Sequence, residues 1–184
     1  MSARPSTRLT YDDYLELPDD GKRYEIIDGE LFVTPAPTPD HQRASGRLHL
    51  ALADWVRSHP PAEVFYAPID LILADDTIVQ PDLLVVLNPA VVTKRGIEAA
   101  PGLVVEILSP STAKRDRGLK RGRYARSSVT EYWVVDADER VVEQYVLDAR
   151  GELARHALAR DEDRIASVAL HGLLLEVCSV FAHR

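Results

Sequence analysis

Two carboxylates stand where carboxylates are costly. The runs Val79-Gln-Pro-Asp-Leu-Leu-Val-Val86 and Gly102-Leu-Val-Val-Glu-Ile-Leu108 each carry a single acid, Asp82 and Glu106. A strand buried on both faces is normally apolar throughout, because an unpaired carboxylate removed from water is expensive. Each acid therefore needs a partner, and a metal ion or a nearby cation is the natural one. Cations follow closely: residues 114–126 hold Lys114, Arg115, Arg117, Lys120, Arg121, Arg123 and Arg126 against one acid, Asp116. The chain has four lysines against eighteen arginines, so a lysine in this run is informative. Asp116, Lys120 and Tyr124 recur every four residues and share one helix face.

Other chemistries are poorly provided for. There is no glycine-rich phosphate loop ending in Lys-Ser/Thr, no Gly-x-Ser-x-Gly elbow and no pair of histidines spaced on a helix. A serine hydrolase would have to use Ser109 or Ser111 with His41. Both serines flank Pro110 at a strand-to-helix turn, where capping explains them more simply. The one cysteine, Cys178, rules out an internal disulfide and a cysteine zinc cluster. Its apolar setting fits a small buried hydrophobe. The net charge of −7 argues against loose nucleic-acid binding by the whole surface. Any polyanion would bind locally, with Lys114, Arg115, Arg117 and Arg121 as candidate phosphate contacts.

The elements that would position these groups follow from the patterning. Thr10 and Asp13 form a capping box ahead of a short helix, Tyr11 to Leu17, ended by Pro18. Strands at 23–27 and 30–34 flank Asp28-Gly29, a strong two-residue hairpin signal. Thr38 caps a helix over about 40–58, with Pro39 at its first position and a stripe of Leu48, Leu52, Trp55 and Val56. Strands at 63–73 and 78–87 pair antiparallel across Ala74-Asp75-Asp76. A strand at 103–108 precedes a helix over about 112–127, capped by Ser111. Strands at 131–135, 141–147 and 153–158 and the apolar run 173–177 complete a mixed sheet. The 184 residues read as one α/β domain: an N-terminal helix and hairpin (1–38), a core (39–136) and C-terminal strands (137–184). No run of about 18 apolar residues is present to span a membrane. The N-terminal residues lack the apolar core of a signal peptide, so a cytoplasmic location is expected.

Five blocks, in order, resemble the PD-(D/E)XK nuclease superfamily and, more closely, a large bacterial family of restriction-endonuclease-like proteins. They are Tyr24-Glu-Ile-Ile-Asp-Gly-Glu-Leu31, Pro35-Ala-Pro-Thr-Pro-Asp-His-Gln42, Val79-Gln-Pro-Asp82, Val104-Val-Glu-Ile-Leu-Ser-Pro-Ser-Thr112, and Tyr124-Ala-Arg with Glu131-Tyr-Trp-Val-Val-Asp136. The resemblance implies a core of helix, three strands, helix and strand, and a metal-dependent endonuclease acting on DNA. Asp82 and Glu106 would be catalytic ligands of Mg²⁺ or Mn²⁺. The superfamily's lysine, two residues after the Glu, is here Leu108, on the same strand face as Glu106. Lys120 is the expected replacement, reaching back from the following helix. Glu25, His41, Asp70, Gln80 and Tyr124 are candidate supporting residues. Asp70 would lie near Asp82 by hairpin register, and Gln80 would share its face and bind a ligand or water. The superfamily commonly acts as dimers, and the apolar C-terminal strand is a candidate homodimer interface. The rival reading is an inactive nuclease-like domain that binds nucleic acid or a protein without cutting. Whether Lys120 reaches the Asp82–Glu106 pair discriminates the two.

Overall fold

The computed structural model describes residues 8–181. Helix α1 (Tyr11–Leu15) opens the chain, with the Asp13 carboxylate taking the Thr10 backbone N–H at 2.8 Å. Strands β1 (Arg23–Ile27) and β2 (Glu30–Thr34) form the expected hairpin. Asp28 and Gly29 both have positive φ, 51° and 81°, as a primed two-residue turn requires. Helix α2 (Pro39–Arg57) begins at Thr38, whose hydroxyl accepts the His41 N–H.

The long hairpin read over 63–87 is broken in both arms. The first arm becomes β3 (Glu63–Tyr66) and β4 (Leu71–Ala74), the second β5 (Thr77–Val79) and β6 (Leu83–Val86). The interruptions hold Pro68 and Pro81, which have no N–H to give a ladder. β4 and β5 pair in one sheet, whereas β3 and β6 pair in another. The hairpin thus bends from sheet to sheet, and Asp82 sits just past the bend. The loop 88–101 contributes two short strands, β7 (Val92–Thr93) and β8 (Gly96–Ile97), to the sheet of β1, β2, β4 and β5, the second sheet of the fold.

Strand β9 (Leu103–Ile107) leads into an interrupted helical segment: α3 (Ala113–Arg115), a π-helical stretch (Asp116–Lys120) and α4 (Arg121–Arg126). Its N-cap is Thr112 rather than Ser111, and no side chain caps it. Strands β10 (Glu131–Asp136), β11 (Val141–Leu147) and β12 (Leu153–Arg160) follow. The larger-core sheet runs β12-β11-β10-β9-β6-β3, with β9 and β10 parallel and its other pairs antiparallel. Its chain order from α2 is helix, three strands, helix, strand.

Both faces of this sheet are covered, which explains the unbroken apolar runs of β6 and β9. On one face Leu83, Val85, Leu103, Val105 and Trp133 pack against Leu48 and Leu52 of α2. On the other, Leu84, Val104 and Tyr132 meet Ile27, Leu71 and Val79 of the second sheet, together with Tyr124. Glu106 follows Val104 onto this inter-sheet side. So does Leu108, which packs against the same apolar cluster.

The apolar C-terminal run does not join the main sheet. β13 (Arg164–Ala166) and β14 (Leu174–Glu176) form a separate two-stranded sheet. Leu173, Leu175, Val177, Val180 and Phe181 are buried in the core on α2's side, and Leu174 remains exposed. This run closes the chain's own core, so it does not offer the free interface expected of it. Glu131 anchors the segment ahead of it. Its Oε1 accepts from Trp133 Nε1 and Gln144 Nε2, and its Oε2 from Ser167 Oγ, Val168 N and Ala169 N, all within 2.9 Å.

Candidate active site

Four acids from separate parts of the chain surround one lysine. β1 supplies Glu25, the inter-sheet bend Asp82, β9 Glu106 and the π-helical stretch both Asp116 and Lys120. Lys120 is 3% exposed. Its Nζ lies 2.7 Å from Glu25 Oε1, 2.8 Å from Glu106 Oε1 and 3.9 Å from Asp116 Oδ1. Tyr124 donates its hydroxyl proton to Glu106 Oε1 at 2.6 Å. Among the described residues, Glu106 Oε2 has no hydrogen bond. Asp82 is held separately: its Oδ2 accepts the Ile107 N–H at 2.8 Å and faces His41 Nε2 at 3.1 Å. Arg23 reaches its Oδ1 at 3.3 Å.

These groups line a cavity of about 40 Å³ together with Gln80, Arg115 and the loop Thr34–Thr38. That is room for a small ion or one or two waters. Burial pushes Glu106 up to about 8; Lys120 pulls it down, but Asp116, Asp82 and Glu25 raise it again. Burial also drives Asp116 upward, against the pull of Lys120. For Lys120, burial favours the neutral amine, yet Glu106, Glu25 and Asp116 outweigh it and hold the ammonium well above its ordinary range. For Asp82, burial is outweighed by His41, the Ile107 N–H and Lys120, which hold its carboxyl below the ordinary value. The two directions for Glu106 and Lys120 are compatible. Lys120 keeps its charge among the carboxylates, while burial, helped by the neighbouring acids, makes Glu106 easy to protonate.

A hard divalent ion fits this donor set. Asp82 and Glu106 present carboxylate oxygens to the same cavity, and Glu25 Oε2, Gln80 Oε1 and Asp116 Oδ1 are buried there without a hydrogen-bond partner. Among the described residues no three His, Cys, Asp or Glu side chains converge as a preformed cage. Ions of the Mg²⁺ type are commonly held by one or two carboxylates and keep several waters.

Not every residue singled out from the sequence arrives here. Glu25, His41, Gln80, Tyr124 and Arg115 do. Asp70 does not enter the cavity: it accepts from Tyr14 Oη at 2.8 Å and Gln80 Nε2 at 2.9 Å. The cause is the break in the hairpin, which pairs Leu71 with Val79 in the second sheet. Arg117 is turned to Glu143 and Asp136, at 2.7 and 3.1 Å. Arg121 lies over the Tyr145 ring, and Lys114 is exposed. The serines bond to each other and to Thr112, while His41 faces Asp82, so no serine–histidine pair forms. Arg23 was missed, although it is two residues from Glu25 on the same strand face. Asp116, whose four-residue spacing from Lys120 is plain in the sequence, was not counted among the site residues.

Residues 11–178 match the family Uma2, described as "Putative restriction endonuclease". The chain belongs to the Uma2 family. A putative nuclease of the DUF820 group from Anabaena variabilis, known from a crystal structure, is similar at a TM-score of 0.77 and 20% identity, over 94% of this chain and 97% of that one. The type IIG restriction endonuclease BpuSI gives a TM-score of 0.39 and 14% identity, over 62% of this chain and 12% of that one. That score is too low to imply a shared architecture. Comparison with curated protein sequences finds no relative. The Uma2 chain therefore has the restriction-endonuclease-like mixed α/β fold expected of it, with the hairpin in place ahead of the core. None of its described helices is long and apolar enough to cross a membrane.

Proposed function

We propose that this protein is a metal-dependent endonuclease hydrolysing phosphodiester bonds in DNA, with Asp82, Glu106 and Lys120 as its catalytic residues. The observation that carries the reading is the 2.8 Å contact between Lys120 Nζ and Glu106 Oε1, beside Asp82 in one cavity. A lysine that had drifted to solvent would have favoured a non-cutting domain.

Asp82 and Glu106 would hold Mg²⁺ or Mn²⁺. The ion supplies Lewis-acid stabilisation of the scissile phosphate and orients a water nucleophile. The chain's own groups do the rest. Lys120 keeps its proton, so it stabilises the negative charge that grows on the phosphoryl oxygens and orients the water, rather than removing a proton from it. Tyr124 holds one oxygen of Glu106 and leaves the other for the cavity. His41 and the Ile107 N–H fix Asp82. Arg115, lining the cavity, is suited to a neighbouring phosphate oxygen as a forked donor.

One observation favours the non-cutting rival. Much of the basic run is already paired within the chain: Arg117 with Glu143 and Asp136, Arg123 with Asp28 and Asp76, and Arg126 with Asp28. Those three arginines are drawn off from DNA, leaving Lys114, Arg115 and Arg121 of the run. Plasmid nicking in Mg²⁺ or Mn²⁺, run beside Asp82→Ala, separates the two readings. The endonuclease nicks and the variant does not; a non-cutting domain leaves the plasmid intact in both.

A further inference from the structure

Gln80 stands at the edge of the cavity, and its amide is locked by a closed triangle of hydrogen bonds. Tyr14 donates to Asp70 Oδ1 at 2.8 Å, Gln80 Nε2 donates to the same oxygen at 2.9 Å, and Gln80 Nε2 also donates to the Tyr14 hydroxyl at 3.1 Å. Every proton in this triangle has one possible place. A carboxylate only accepts, so the group facing Asp70 must be the amide nitrogen. Tyr14 has one proton, which goes to Asp70, and the amide nitrogen faces both oxygens. Burial and Asp70 both raise the Tyr14 phenol above its ordinary range, so it stays protonated. The orientation of the amide is thereby fixed.

The carbonyl oxygen is left over. Gln80 Oε1 is buried and has no hydrogen-bond partner, on a residue that lines the cavity with Asp82 and Glu106. An unpaired buried oxygen costs about 1–3 kcal/mol, and such a group calls for an absent water or ion. The backbone of Gln80 ties it to the charged cluster as well, because its N–H donates at 2.9 Å to Glu25 Oε1, the oxygen that Lys120 also contacts.

We infer that Gln80 Oε1 accepts a hydrogen bond from the water used in hydrolysis, and that Asp70 and Tyr14 are positioning residues that aim this oxygen into the site. The inference rests on the endonuclease reading of the cavity. Tyr14 on helix α1 and Asp70, the residue ahead of β4, acquire a role through it. An acceptor on the water's proton leaves a lone pair for phosphorus and adds no charge to a crowded acidic site.

The test compares wild type with Gln80→Met, Asp70→Asn and Tyr14→Phe by steady-state plasmid cleavage, Mg²⁺ calorimetry and crystallography. Asp70→Asn is the sharpest, since an asparagine can offer its own N–H and let the Gln80 amide turn over. The expected result has three parts. The wild-type crystal shows an ordered water on Gln80 Oε1. Gln80→Met and Asp70→Asn lose about tenfold to hundredfold in kcat. Their KM and Mg²⁺ affinity stay as in wild type. A merely structural role would lower the amount of folded protein without separating kcat from KM. Wild-type kcat in Gln80→Met, while Asp82→Ala is dead, overturns the inference and leaves the nuclease reading standing. No water on Oε1 overturns it too. If wild type itself fails to cut, the nuclease reading falls and takes the role of Gln80 with it.

Discussion

Lys120 Nζ is as close to Glu25 Oε1, at 2.7 Å, as it is to Glu106 Oε1, at 2.8 Å. The lysine is therefore shared between the N-terminal hairpin and the central sheet. It neutralises part of a four-acid cluster that burial would otherwise make untenable.

Removing that cation exposes the repulsion. Lys120→Met is expected to cost about 3–5 kcal/mol, as for other buried charges stripped of a partner, and about 10²–10³ in cleavage rate. Glu25→Gln in the same chain is expected to recover much of the stability and none of the rate. Urea unfolding and plasmid nicking of the single and double variants check both halves.

Glu106 gives a pH dependence. Its pKa in the fold, about 8, lies above the ordinary 4.5, so its contribution to stability is complete below about 4.5 and is lost as pH rises through about 8. In chelator, the thermal midpoint of wild type should fall between about pH 5 and 8 and level off above. Glu106→Gln, which keeps an acceptor for Tyr124 without the charge, should lack this component of the fall. Parallel curves for the two proteins would show that Glu106 does not bear the surplus charge.

Two arginines from one basic run should behave differently toward DNA. Arg115 lines the cavity, held by Glu25 at 3.5 Å, whereas Arg117 is spent on Glu143 and Asp136. With Ca²⁺ in place of Mg²⁺ to hold DNA uncut, Arg115→Ala should reduce the salt dependence of binding by about one phosphate contact. Arg117→Ala should leave it unchanged. Fluorescence anisotropy across a salt series measures both.

Glu131 is a buried acid of another kind. Its oxygens are fully occupied by Trp133, Gln144, Ser167 and two backbone N–H groups. Glu131→Ala is expected to destabilise the fold by about 1–3 kcal/mol for each buried donor it strands. Mg²⁺ affinity per folded molecule should not change, which calorimetry beside urea unfolding would establish.

The contrast between Glu131 and Glu106 also marks how far the sequence could be read. Both are buried acids in largely apolar strands, and only the folded partners tell an anchored carboxylate from one with a free oxygen. The core order and the Asp28-Gly29 hairpin were legible, because periodicity and turn chemistry are local, whereas the reach of Lys120 was what the family resemblance implied. The bend at Pro68 and Pro81 was not weighed, so Asp70 was expected beside Asp82 and lies instead on Gln80. The partners of Arg117 come from β10 and β11, which a local reading of a basic helix cannot supply. Arg23 was within reach, two residues from Glu25 on the same strand face.

The central claim is that Asp82 and Glu106 hold the ion that DNA cleavage needs. Calorimetric titration of Mg²⁺ and Mn²⁺ into wild type, Asp82→Ala and Glu106→Ala, with plasmid nicking followed in the same samples, tests it most directly. The account predicts binding and nicking in wild type and the loss of both in each variant. Failure of wild type to bind either ion, with or without DNA, would contradict it.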